Sequence, residues 1–216
     1  MKSKYNIGLF LVASLLAISF GFSEINAKEE VRTNQIKETD KVAYFASGCF
    51  WCVEAIFESV DGVSEAVSGY AGGFTKNPTY QSIGTGETGH PEAVAVYYDQ
   101  EKVSFKTLVD VFFGSHDPTT KNGQYPDFGS QYRSIAFYSI NEEKVIIETA
   151  INKLNKEIYN NKIVTEVTKH SKFYEAEEYH QNYEKRNPYN SYVRNVSIPR
   201  LKRFQKKFPE LLKKNH

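Results

Sequence analysis

The amino-acid sequence predicts a two-layer α+β sandwich, with helices packed on a mostly antiparallel sheet, and three observations predict it. Short runs rich in Val, Tyr and Phe are interleaved with longer runs whose apolar residues recur at helical spacing. The order is strand, helix, strand, strand, helix, strand, helix, strand, which lacks the strict alternation of a parallel α/β fold. A chain of 216 residues, 40% of them hydrophobic, is long enough for one substantial core and long for two.

Each element has its own signal. Residues 42–46 form a short apolar run suited to a buried strand, broken at Ser47-Gly48. A helix follows over residues 51–60, with Val53, Ile56, Phe57 and Val60 on one face and Asp61-Gly62 ending it. Residues 63–70 are the next strand, and Ala71-Gly72-Gly73 marks a loop. The glycine-rich stretch 74–91 lacks periodicity, and a loop of that size inside a compact domain is usually functional. Residues 93–98 read as a strand, and Ser104 caps a helix reaching Phe113. After a second irregular stretch, 116–131, come a strand at 133–138, an amphipathic helix at 141–159 and a strand at 163–168. This succession fits a sandwich of the ferredoxin-like kind.

The two ends differ from the middle. Lys2 and Lys4, an apolar run from Ile7 to Phe22 and Ile25-Asn26-Ala27 before Lys28 have the layout of a secretory signal peptide covering residues 1–27. The expected product is exported, to a periplasmic or other extracytoplasmic space; an uncleaved leader would instead anchor it to the membrane. Residues 28–40 read as a polar linker. Residues 194–216 set Arg200, Lys202, Arg203, Lys206, Lys207, Lys213 and Lys214 against Leu201, Phe204, Phe208 and Leu211, the pattern of a terminal helix with a solvated basic face. The chain as a whole carries a formal charge of only +1, which argues against nucleic acid or a strongly acidic substrate.

The chemistry is concentrated in Gly48-Cys49-Phe50-Trp51-Cys52. Only two cysteines occur, too few for a disulfide scaffold, so they serve chemistry or a metal. A thiol against the free amides of a helix start has a lowered pKa, and Cys49 holds that position while Cys52 follows one turn later. The pair can therefore close a disulfide. Other readings remain: a zinc site completed by His90, His116 or His170, two inert buried thiols, or a thioredoxin-like exchange protein. Phe50 and Trp51 between the cysteines suit capture of a small apolar group better than disulfide exchange.

Here the sequence closely resembles the methionine sulfoxide reductase A family. The likeness extends to Gly69-Tyr70-Ala71-Gly72-Gly73, Asn77-Pro78-Thr79-Tyr80, Thr88-Gly89-His90-Pro91-Glu92-Ala93-Val94 and His116-Asp117-Pro118-Thr119. It continues through Asp127-Phe128-Gly129-Ser130-Gln131-Tyr132-Arg133-Ser134 and Phe173-Tyr174-Glu175-Ala176-Glu177-Glu178-Tyr179-His180-Gln181.

The resemblance implies a catalytic domain over residues 41–193 that reduces the S-epimer of methionine sulfoxide, in proteins or free. It implies that Cys49 attacks sulfur, that Glu92 is the acid, that Tyr80 and Tyr132 hold the oxygen and that Asp127 positions water or the tyrosines. Phe50 and Trp51 would cradle the methyl group. Cys52 is the only other thiol and so the expected partner in a Cys49–Cys52 disulfide, reduced by a thioredoxin-like protein; many family members use tail cysteines that this chain lacks. No metal or bound cofactor is implied, and the expected form is a monomer. Gln124-Tyr125-Pro126 departs from the family pattern, which commonly has a glycine beside the residue before Asp127, and is expected to reshape the rim. His180 and Gln181 are assigned structural duty. An exported member also needs a reductant in its own compartment.

Overall fold

The computed structural model describes residues 36–214. The chain divides into two units, Met1–Glu38 and Thr39–His216, and the elements below belong to the second. The leader, residues 1–27, and the linker up to residue 35 lie outside the described residues.

Strand β1 (Lys41–Ser47) leads through Gly48 into helix α1 (Phe50–Glu58) and strand β2 (Val63–Ala71). A short helix α2 (Tyr80–Gly84) precedes β3 (Glu92–Tyr98) and α3 (Phe105–Ser115). Next come a small hairpin, β4 (Gly123–Gln124) and β5 (Asp127–Phe128), then β6 (Ser134–Tyr138) and α4 (Asn141–Leu154). Strands β7 (Glu166–Lys169) and β8 (Phe173–Glu175), the one-turn helix α5 (Tyr183–Arg186) and helix α6 (Ile198–Lys207) complete the chain.

The main sheet has six strands in the order β7-β6-β1-β3-β2-β8. The fold is therefore mixed α+β, and two details depart from the expected antiparallel sheet. Strand β7 pairs parallel to β6, because α4 carries the chain back across the sheet between them as such a connection requires. Strand β8 was not anticipated; three residues are too few to show alternation, and Phe173–Glu175 is a strand only because it pairs with Ala71, Tyr70 and Gly69. Helix α2 also lies within the stretch read as irregular. The Thr79 side chain accepts from the Ser82 amide, and the Ser82 side chain returns a bond to the Thr79 amide, so a capping box sustains five residues.

One face of the sheet packs Phe45, Val94, Val96 and Ala136 against Ile56 and Phe57 of α1, Leu108 and Phe112 of α3 and Phe204 of α6. The other face carries a smaller cluster of Ala46, Ala71, Ala93, Ile135 and Phe137. Between β2 and β8, Gly69 lets the Phe173 ring and the Tyr174 carbonyl approach its backbone where a Cβ would stand. Gly69→Ala is expected to destabilise the protein by about 1–3 kcal/mol in urea unfolding.

The register decides where chemistry can occur. Phe45 of β1 lies opposite Val94 of β3, and Ser47 lies opposite Ser134 of β6. The end of β1 thus meets the beginnings of β3 and β6, while Glu92 pairs with Tyr70 near the end of β2. Cys49, Glu92 and Tyr132 are brought to one end of the central strands from segments far apart in the chain.

Candidate active site

Gly48 makes the turn from β1 into α1 at φ +90°, and a Cβ there would lie 2.8 Å from Cβ of Gln124, so both backbone angle and space call for glycine. Cys49 is the N-cap of α1, and its carbonyl accepts from the amides of Cys52 at 3.1 Å and Val53 at 3.3 Å. The first helical amide, that of Phe50, donates to Glu92 Oε2 at 2.8 Å.

Burial corrects the expectation of a low-pKa Cys49. The helix start is spent on the carboxyl of Glu92, and burial pushes the Cys49 thiol well up, with its hydrogen bond to Cys52 adding to the rise. Cys52 moves the other way, to about 6, first because Cys49 donates to it and then through the charge of Arg200 and the hydroxyls of Ser197 and Tyr192. In the free dithiol the two thiols thus move apart, Cys49 toward the protonated form and Cys52 toward the thiolate.

Glu92 is 2% exposed, and burial pushes its carboxyl up to about 8 despite the bond from Phe50. It is a neutral acid at pH 7. Tyr80 opens α2, held there by its amide bond to Glu177 Oε1 at 3.1 Å, while Tyr70 Oη donates to Glu177 Oε2 at 2.7 Å. Tyr132 ends the 3-10 turn Ser130–Tyr132 that leads into β6. Burial raises both phenols, Tyr80 to about 12, and both respond to charge on Glu92, Cys49 and Asp127, which places these groups in one electrostatic neighbourhood.

The aromatic residues beside the thiols are held from behind. Phe50 is buried, with its ring 6.2 Å from that of Trp51 and 6.2 Å from that of Tyr80. The Trp51 indole donates to His180 Nδ1 at 3.2 Å and stacks on Tyr183 at 3.7 Å. Gln181 ties the same segment to β2, accepting from the Ser68 amide at 3.0 Å and donating to its carbonyl at 2.9 Å.

Asp127, on the β4–β5 hairpin, accepts a hydrogen bond from Tyr192 Oη, which lies 3.9 Å from Cys52 Sγ. Tyr192, Ser197 and Arg200 were not singled out as site residues. They lie 140 residues or more beyond Cys52, where no local spacing announces their approach, and Arg200, expected on a solvated basic face, is half-buried and bonded to the Ser47 and Ser115 carbonyls.

The three histidines considered for zinc are engaged elsewhere. His116 bonds the Phe112 carbonyl and the Ser134 hydroxyl, His90 bonds the Thr75 carbonyl, and His170 stacks on Tyr44. Among the described residues no three His, Cys, Asp or Glu side chains are grouped to hold a metal.

Glu54, two residues beyond Cys52 on α1, accepts from the Ser68 hydroxyl and the Asn182 amide and so braces the segment that carries His180. Burial, then repulsion from Glu58, pushes its carboxyl from 4.5 up to about 8. The folded state thus holds a proton that the unfolded chain releases, so this stabilisation is complete below about 4.5 and lost as pH rises through about 8. Between these values the unfolding free energy is expected to fall more steeply than in Glu54→Gln, by up to about 1.4 kcal/mol per pH unit in urea titrations.

A buried dithiol beside a neutral carboxylic acid and two phenols, next to a braced aromatic wall, defines a thiol-dependent oxidoreductase acting on a group that must be protonated as it leaves. Residues 41–212 match the sequence model of the family Peptide methionine sulfoxide reductase. The chain is 50% identical over 164 residues to the peptide methionine sulfoxide reductase MsrA of Trichodesmium erythraeum, covering 76% of this chain and 93% of that protein. It is 46% identical over 171 residues to the enzyme of the same description from Pasteurella multocida, covering 79% and 98%. Among solved structures, reduced Mxr1 from Saccharomyces cerevisiae superposes with a TM-score of 0.67 at 34% identity, over 72% of this chain and 91% of that one. Methionine sulfoxide reductase A of Corynebacterium diphtheriae does so with a TM-score of 0.65 at 33% identity, over 72% and 79%. The chain belongs to the peptide methionine sulfoxide reductase family, a family of oxidoreductases.

Proposed function

We propose that this enzyme reduces the S-epimer of methionine sulfoxide, in proteins or free, to methionine, and is recycled through a Cys49–Cys52 disulfide by a thioredoxin-like dithiol protein. The bond from the Phe50 amide to Glu92 carries the reading, because it ties a neutral acid to the residue next to the nucleophile.

Cys49 Sγ attacks the sulfoxide sulfur. Glu92 gives its proton to the oxygen as the sulfur–oxygen bond breaks, and the Cys49 thiol proton replaces it. Tyr80 and Tyr132 donate hydrogen bonds to the oxygen without adding charge. Phe50 and Trp51 receive the methyl group, and Asp127, bonded to Tyr192, positions water or the phenols. The oxygen, released as water, then adds to Cys49 Sγ as the bond between Cys49 and the substrate sulfur breaks with its electron pair on the departing methionine. Cys49 is left as a sulfenic acid, and the Cys52 sulfur displaces its hydroxyl to give the disulfide and water.

The finer fold reading belongs here too: the inner order β6-β1-β3-β2 supports a ferredoxin-like two-layer core. Lys2, Lys4 and the apolar run after them support an exported protein whose leader is residues 1–27, followed by a linker to residue 40, a catalytic domain and a basic tail. The proposed working form is a monomer.

The test supplies each sulfoxide epimer to the purified protein and maps both cysteines by mass. The S-epimer alone should be consumed, leaving Cys49 joined to Cys52; consumption of the R-epimer instead would overturn the reading. Cys52→Ser should keep one turnover and lose cycling with thioredoxin by about 100-fold or more.

A further inference from the structure

We infer that the C-terminal segment fixes the polarity of the Cys49–Cys52 disulfide: the partner dithiol attacks the sulfur of Cys49, and Cys52, packed against Tyr192, departs as a thiolate in the field of Arg200. The inference rests on the recycling disulfide proposed above and specifies how it is opened.

Access separates the two sulfurs. Cys52 is 1% exposed and Cys49 6%, and attack on a disulfide needs an approach along the sulfur–sulfur axis. The cover over Cys52 comes from the tail. Tyr192 Oη stands 3.9 Å from its sulfur, and the fully buried Ser197, whose hydroxyl donates to Glu184, anchors the same segment.

Arg200 supplies the charge. Its Nε donates to the Ser115 carbonyl at 2.9 Å and its Nη2 to the Ser47 carbonyl at 2.9 Å. Both acceptors are neutral, and they orient the guanidinium beneath the Gly48 turn, where its charge acts on Asp127 as well as on Cys52. A leaving thiol departs faster the lower its pKa, and Cys52 is the thiol stabilised as an anion. Where related enzymes were expected to carry tail cysteines, this tail contains none and instead packs Tyr192 against the cysteine already present and supplies a cation to its surroundings.

The step balances. The donor thiolate forms a bond to Cys49 Sγ, and the Cys49–Cys52 bond breaks with its electron pair on Cys52. The donor's second thiolate then attacks its own first sulfur and releases Cys49, which takes a proton. Two electrons pass to the enzyme, and the donor becomes the disulfide.

The full-length protein is oxidised with one equivalent of the S-sulfoxide, and the Cys49–Cys52 disulfide is confirmed by mass. It is then mixed with a thioredoxin whose second active-site cysteine is serine, quenched by alkylation and mapped. Thioredoxin on Cys49 with alkylated Cys52 is the expected result; thioredoxin on Cys52 overturns the inference while leaving the reductase reading intact. Failure to form the disulfide in the first step overturns both. The part of Arg200 is read separately from the pH midpoint of Cys52 alkylation in Cys49→Ser. Adding Arg200→Met should raise that midpoint by about one unit, and Arg200→Lys should restore it. An unchanged midpoint with Arg200→Met removes Arg200 from the proposal.

Discussion

Cys49→Ser is expected to lose even a single turnover, with methionine formation falling by about 10^4-fold or more when stoichiometric enzyme is mixed with a methionine sulfoxide peptide. A serine hydroxyl at this helix start would be a far weaker nucleophile, and the amide nearest to it is already bonded to Glu92. Cys52 cannot take over. Cys52 is 1% exposed, and its sulfur is packed 3.9 Å from Tyr192 Oη. Methionine produced by Cys49→Ser at the wild-type rate would refute the assignment of the nucleophile, whatever happens to cycling.

Glu92→Gln is expected to slow the first turnover by about 10^2- to 10^4-fold. The amide oxygen of glutamine can still accept from Phe50, so the turn is preserved and only the transferable proton is removed. The pH dependence makes the test specific. Because burial holds the Glu92 carboxyl at about 8, the wild-type acid is protonated below that pH and loses its proton above it. The single-turnover rate should therefore fall as pH rises through about 8, and Glu92→Gln should be slow throughout without that fall. An equal decline in both proteins would assign the titration to another group.

Much of this site was legible because its parts sit in short local patterns. The glycine before Cys49, the two aromatics after it and the second thiol one turn later all lie within five residues. The order of the four inner elements was equally local, since β1, β2, β3 and β6 each have a run of buried residues. What could not be read depended on distant pairing. Strand β8 exists through its partners in β2, and the parallel setting of β7 follows from where α4 returns the chain. The ionisation of Cys49 was out of reach for the same reason: burial raises its thiol, and the amide at the helix start serves a carboxylate 42 positions away. Glu54 also looked like an ordinary polar position on α1, and only the segment after β8 makes it a buried brace.

The meeting of distant segments at one end of the central strands has a consequence for how the sequence can drift. Glu92 opens β3, and successive side chains in a strand point to opposite faces. Adding or deleting a single residue just before Val94 could leave most of the ladder intact while swinging the acid to the wrong face. Changes of two residues would preserve its direction but move it by about 7 Å along the strand. The acid is thus tied to a parity as well as a position, so length changes are better tolerated at residues 85–87, past α2 and Tyr80, than in the few residues just before Val94.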